Sequence, residues 1–339
     1  MAERWRYPLR MPHPDRAAVR AFAEAFEGAT GERVEPEAFC FGDSPAMADE
    51  LAALVMSGRK RATGGGVQAH EHDGEELPRP GQHWVLYDGS GQPVCVARSD
   101  EVSVGPLNET LDPAFAWDEG EGDRTYEDWL SGHAAYWRRT LPEIGAEFDP
   151  GMPVVLVRFS VVWPDQDQTQ VLTARGSLRV RHAWTQDRAW LTETIRERWG
   201  GCVVSRGELQ HPGRLPALIA VDDAGHRVGV LTFRPRPGGE TEVVTVDALE
   251  SSAGVGGLLL DAAVAVGRRE GWRRLWLITT NDNTVALRAY QRAGWNLVAV
   301  HRDAVTAARD LKSSIPRCGL DGIPMRHELE LELPLGGGS

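Results

Sequence analysis

The segment Glu242-Val-Val-Thr-Val-Asp-Ala-Leu-Glu-Ser-Ser-Ala-Gly-Val-Gly-Gly-Leu-Leu-Leu is arranged to hold an anion. A strand-like run enters closely spaced glycines and then an apolar helix. Backbone N–H groups at a helix start have no intrahelical partner, and the helix dipole adds positive character there. Gly254, Gly256 and Gly257 bring no Cβ that would keep a phosphate chain off the backbone. Such a turn suits the pyrophosphate of an acyl-CoA, the phosphates of a nucleotide, or a plain tight connection. Composition singles out a second residue. Of 37 basic residues only Lys60 and Lys312 are lysine. Arginine cannot act as a base near neutral pH, whereas a lysine with a lowered pKa can. Lys60 is therefore a candidate for chemistry.

The elements that position these residues follow from periodicity and turn chemistry. Strands are predicted at Leu178–Arg181, Ala217–Val221, Val228–Phe233, Glu242–Leu249, Arg274–Thr280 and Arg326–Leu333, with helices across Gln186–Arg198, Gly256–Glu270 and Thr284–Ala293. Asn283 is placed to cap the last of these helices and Gly294 to end it. The alternation predicts a mixed α/β sheet. Upstream, Val154–Phe159 and Val161–Trp163 read as two strand runs. The polar PDQDQTQ that follows, continuing to Gly176, reads as a linker.

A chain of 339 residues suits two domains. No apolar run approaches the roughly 20 residues of a membrane span, and the N-terminus lacks a signal-peptide h-region, which predicts a cytoplasmic protein. Cys40, Cys95, Cys202 and Cys318 lie far apart, predicting free thiols and no metal site. Residues 1–164 carry a net charge of −13 and residues 165–339 a net charge of +1. An acidic first half repels a long polyanion and favours a small ligand.

The glycine turn resembles the acetyl-CoA motif of the GNAT superfamily: Gln or Arg, two residues, Gly, one residue, Gly or Ala. Here it reads Ser251-Ser-Ala-Gly254-Val-Gly256, with Ser251 the departure. Asn283, Ala286, Tyr290 and Gly294 fall where the family's next strand and helix place them. The resemblance, about 150 residues long, implies acetyl-CoA held by Val246, Ser251, Gly254, Val255, Gly256, Gly257, Asn283 and Ala286. It implies Tyr290 as the acid for the thiolate and Glu242 as the base, with Asp247 and Glu250 as further carboxylates on the same segment. A backbone N–H near Val246 would face the acetyl oxyanion. His301 and Lys312 are expected at the exposed surface.

Phe41-Gly-Asp-Ser-Pro followed by a helix and Ser57-Gly58-Arg-Lys60-Arg-Ala-Thr63 resembles the ASCH domain, a small PUA-like β-barrel. Leu77-Pro-Arg-Pro-Gly81-Gln, Val94-Cys-Val-Ala-Arg-Ser and Asp118-Glu-Gly-Glu121 extend the likeness across Phe41–Trp163. The family is linked to RNA, and some members hydrolyse the amide of acetylated cytidine. That resemblance places a lysine, threonine and glutamate at Lys60, Thr63 and Glu121.

The expected organisation is a helical extension over residues 1–40, an ASCH-like barrel over 41–163, a linker over 164–176 and a GNAT domain over 177–335. The function expected is acetyl transfer from acetyl-CoA to a small-molecule amine or a nucleoside- or RNA-related acceptor. Two alternatives stand beside it: a CoA-binding regulatory protein, which Ser251 favours, and an ASCH amidohydrolase acting on N4-acetylcytidine-like amides.

Overall fold

The computed structural model describes residues 13–34, 38–164, 172–183, 185–249 and 254–335. The chain divides into two compact units, Met1–Gln168 and Thr169–Ser339.

The first unit begins with α1 (Arg16–Thr30). Asp15 accepts hydrogen bonds from the Ala17 and Ala18 amides at its start, and the left-handed Gly31 ends it. Its buried stripe, Val19, Ala23 and Phe26, packs with Val85 and Val96 of the sheet, so this helix is part of the first unit's core. The sheet has five strands: β1 (Ala38–Phe39), β2 (Ala62–Gly66), β3 (His83–Tyr87), β4 (Pro93–Pro106) and β5 (Pro153–Trp163), in the order β1-β3-β4-β5-β2. The two runs expected at the end of this half are one strand, continuous through Ser160. The helices α2 (Pro45–Met56), α3 (Val67–Asp73), α4 (Leu107–Thr110), α5 (Pro113–Glu119) and α6 (Tyr126–Thr140) pack around it. Ser44 caps α2, Asp112 caps α5 and Thr125 caps α6, each through its side-chain oxygen.

The second unit runs β6 (Thr173–Arg175), β7 (Leu178–His182), α7 (Arg188–Trp199), β8 (Val203–Ser205), β9 (Glu208–Gln210), β10 (Ala217–Val221), β11 (Arg227–Arg236), β12 (Glu240–Ala248), α8 (Val255–Arg269), β13 (Arg274–Thr280), α9 (Thr284–Arg292), β14 (Asn296–His301), α10 (Ala304–Leu311) and β15 (Glu328–Pro334). Eight strands form one sheet in the order β14-β15-β13-β12-β11-β10-β7-β6, and β8 and β9 form a separate hairpin. Residues 173–175, expected within the linker, form β6 and pair with β7. Leu191 and Ile195 of α7 pack on Ile219 and Val230. The opposite face carries α8, where the missing side chain of Gly229 makes room for Val255 and Leu259.

Two irregularities open this sheet at its centre. β12 and β13 are parallel, but they pair only from Glu240–Arg274 to Val243–Leu277. At the same height Thr245 sits opposite Thr232 and Val243 opposite Phe233, so Val244 is an extra, bulged residue. Beyond it β12 continues with β11 and β13 with β15, leaving a gap between the two parallel strands.

Candidate active site

The gap exposes backbone groups. Leu249 donates its N–H to Val228, and strand pairing alternates residue by residue between bonded and non-bonded positions. Val246, opposite Leu231 at a non-bonded position, therefore turns its N–H toward the gap that β13 has left. The chain then enters α8 through Gly254, whose φ of 107° suits glycine, and no side chain caps the helix start. Space around the Gly256 and Gly257 α-carbons is open, while the Val255 side chain is buried as the anchor of this end. The Arg175 guanidinium lies beside Gly254, within 3.9 Å of where a Cβ would stand, and contacts Asp261 at 3.4 Å. This cation at a candidate pyrophosphate site escaped the sequence because its strand was read as linker. Ser251 and Glu250 lie outside the described residues.

Asn283 caps α9: its carboxamide oxygen accepts the Ala286 N–H at 3.2 Å. These two positions, expected to contact acetyl-CoA, are thus bonded to one another, and the Ala286 amide is spoken for.

Glu242, the expected base, is fully enclosed at 1% exposure. Its carboxylate accepts from Ser205 Oγ at 2.6 Å, from Gln210 Nε2 at 3.0 Å and from Arg236 at 3.2 Å. Three donors thus hold the Glu242 carboxylate inside the fold under the β8–β9 hairpin. Asp247 is the carboxylate at the gap. Burial raises its pKa against the opposing pull of the Trp199 indole N–H, which donates at 2.6 Å, and of Arg198. On α9, burial and then the Asp247 charge push the Tyr290 hydroxyl up to about 12, so it keeps its proton. The Asp247 charge thus reaches Tyr290, whereas Glu242 is held by donors of its own. Neither expected surface residue is unattached. Lys312 donates to the carbonyls of Trp199 and Cys202 at 2.5 and 2.7 Å. His301 Nε2 lies 2.9 Å from Glu330.

In the first unit Lys60 is 1% exposed. Its ammonium meets Glu121 at 2.5 Å and Glu119 at 3.4 Å, and lies over the Phe41 ring. Glu119 also accepts from the Trp129 indole, and His133, stacked on that indole, lies 3.6 Å from it. Burial raises the Glu119 carboxyl, but Lys60 and His133 outweigh it and hold it below the ordinary range. Burial lowers His133, and Glu119 outweighs that and raises it. Thr63 is not in this cluster. Ala62 and Gly64 turn toward the Trp129 side of β2, so Thr63, between them, faces the other way, opposite Val157. Glu119 and His133 were not picked out from the sequence. The i, i+4, i+8 spacing of Trp129, His133 and Trp137 was the available signal for His133. Among the described residues no group of three His, Cys, Asp or Glu side chains could hold a metal, and no helix is long and apolar enough to cross a membrane.

A family model for the ASCH domain matches residues 37–163, and one for the acetyltransferase (GNAT) family matches residues 178–295. The uncharacterized protein YdhI of Bacillus subtilis is 32% identical over 141 residues, 41% of this chain and 87% of its own. An ASCH domain from Lactobacillus crispatus is 27% identical with a TM-score of 0.40, covering 46% of this chain and 99% of that one. A GNAT family acetyltransferase from Elizabethkingia anophelis, solved with acetyl-CoA bound, is 16% identical with a TM-score of 0.36, covering 48% of this chain and 100% of that one. The chain therefore belongs to the ASCH family in its first unit, of PUA-like fold, and to the GNAT acetyltransferase family in its second. Acetyl transfer is the general chemistry of that second family.

Proposed function

We propose that the second unit transfers the acetyl group of acetyl-CoA to an amine, with Asp247 as base and Tyr290 as acid. The observation that carries this is the gap between β12 and β13, into which the Val246 amide turns, with the next residue, Asp247, held there by the Trp199 indole and its charge reaching Tyr290. A carboxylate with a raised pKa is suited to taking a proton from an ammonium near neutral pH. The freed nitrogen attacks the thioester carbon, and the Val246 N–H faces the oxyanion that forms. As the carbon–sulfur bond breaks, Tyr290 gives its proton to the sulfur and regains one from the nitrogen. The proton on Asp247 passes to solvent. The α8 N-terminus, Gly256, Gly257 and the Arg175 cation supply the place for the pyrophosphate.

The acceptor in this reading is a small-molecule or nucleoside-type amine, because the −13 balance of residues 1–164 disfavours a long nucleic acid. Calorimetric titration of acetyl-CoA tests the first step. Binding should vanish in Gly254→Asp/Gly256→Asp. Undiminished binding in that variant would place the cofactor elsewhere. Thiol release on a panel of small amines and aminonucleosides tests the second. Tight acetyl-CoA binding with no thiol release on any amine would favour a regulatory CoA-binding protein instead.

A further inference from the structure

Asp247 stands on β12, yet the group that fixes its carboxylate is not on the sheet. Trp199, the last residue of α7, donates its indole N–H to Oδ2 at 2.6 Å. Gly200 follows in the left-handed conformation, so the indole holds its direction only if the backbone beneath it is held. That backbone is gripped from α10. Lys312, at the C-cap of α10, donates to the carbonyl of Trp199 at 2.5 Å and to that of Cys202 at 2.7 Å. A helix's last carbonyls lack intrahelical donors and carry the negative end of its dipole, which an ammonium satisfies. Its Nζ lies against the turn itself, 3.7 Å from where a Gly200 Cβ would stand. α10 is seated in turn: Val305 and Ala308 are buried, and the Arg309 guanidinium binds the carbonyls of Ile315, Pro316 and Met325.

We propose that Lys312 is a positioning residue for Asp247, acting through Trp199 to place the carboxylate at the gap. What Asp247 is for rests on the acetyl-transfer reading; the chain of contacts from Lys312 to Trp199 to Asp247 does not. The charged and titratable groups facing Asp247 are Arg198 at the end of α7 and Tyr290 on α9. Lys312 grips the backbone at Trp199, whose indole bonds Asp247 directly, while Arg198, one residue earlier, reaches Asp247 only through its charge and spends its guanidinium on the Leu249 carbonyl.

The test follows the titration of Asp247 in the full chain. Carbodiimide labelling of its carboxyl is read by peptide mass spectrometry from pH 4 to 8, since reactivity falls as the acid ionises. A donor to the carboxylate favours the charged form, so losing the indole should move the half-labelling pH up by about one unit. Trp199→Phe and Lys312→Met should each give that rise. The double variant should match Trp199→Phe alone, because both act on one interaction. A merely structural role for Lys312 would leave the Asp247 titration in place or give an additive double variant, and either result overturns the proposal. Should Lys312→Met fail to fold, Lys312→Gln, which removes the charge and shortens the side chain but keeps an NH2 group, carries the same comparison. Failure of every amine in the thiol-release assay would remove the transferase reading, while the labelling curves would still decide the role of Lys312.

Discussion

At the scale of single residues, the proposed mechanism separates two carboxylates of β12 by their donors, three on Glu242 and the Trp199 indole on Asp247. Asp247→Asn should lower the rate of amine acetylation by about a hundredfold or more, as loss of a general base does. Glu242→Gln should instead cost about 1–2 kcal/mol of stability, because Ser205, Gln210 and Arg236 lose a charged acceptor while Arg236 keeps Glu208. Thermal melts read beside initial rates distinguish the two, and a folded Glu242→Gln protein that is catalytically dead would reverse the assignment. Tyr290→Phe should reduce kcat by about a hundredfold with acetyl-CoA affinity unchanged; equal turnover would remove Tyr290 from the mechanism. In the first unit His133 and Glu119 set opposite pH limits. His133 is raised, so its contribution is fully present below about pH 6.5 and is lost as pH rises through the raised value. Glu119 is lowered, so its contribution is present above about pH 4.5 and is lost as pH falls through the lowered value. Melting temperature should therefore fall on the alkaline side, and His133→Gln should flatten that slope.

At the scale of elements, the site depends on irregular features more than on regular ones. The early end of β12–β13 pairing and the extra residue Val244 make the gap, and neither has a signature in a run of β-branched residues. Several strands and helices were legible, with Ala217–Val221 and Arg274–Thr280 matching the predicted bounds and Asn283 capping α9 as its position implied, whereas β6 was read as linker and the short β8 and β9 were not predicted. The glycine-rich entry to α8 was equally legible, because a helix start without a side-chain cap is written in local residue types. Which carboxylate's charge reaches Tyr290 was not. Glu242 and Asp247 lie on one strand, and their difference is made by Ser205, Gln210 and Trp199, which arrive from elements far away in the sequence. Gly229 carries a similar hidden dependence. A methyl group there would overlap Val255 at the start of α8. Gly229→Ala should cost about 1–3 kcal/mol through overpacking and weaken acetyl-CoA binding, although Gly229 lies on a different strand from the turn. Calorimetry on this variant checks it, and unchanged affinity would show that the helix start absorbs the shift.

At the scale of the whole molecule, the division into Met1–Gln168 and Thr169–Ser339 predicts that the second unit alone keeps the cofactor site. Residues 169–339, expressed separately, should bind acetyl-CoA within about twofold of the full chain; a larger loss would show that the first unit supports that site. The charge imbalance between the halves was plain in the composition, whereas the Lys60 cluster needed the fold to bring β2, α5 and α6 together. The two lysines carry one more consequence. Lys60 is enclosed by Glu119, Glu121 and Phe41, and Lys312 spends its ammonium on two carbonyls. In the acetyl-transfer reading, the protein thus leaves no lysine amine without a partner in the presence of a reactive thioester. Arginine, which resists acylation at neutral pH, supplies the rest of its positive charge. At its lysines the protein is in this way a poor acceptor for its own acetyl donor, by composition and by pairing together.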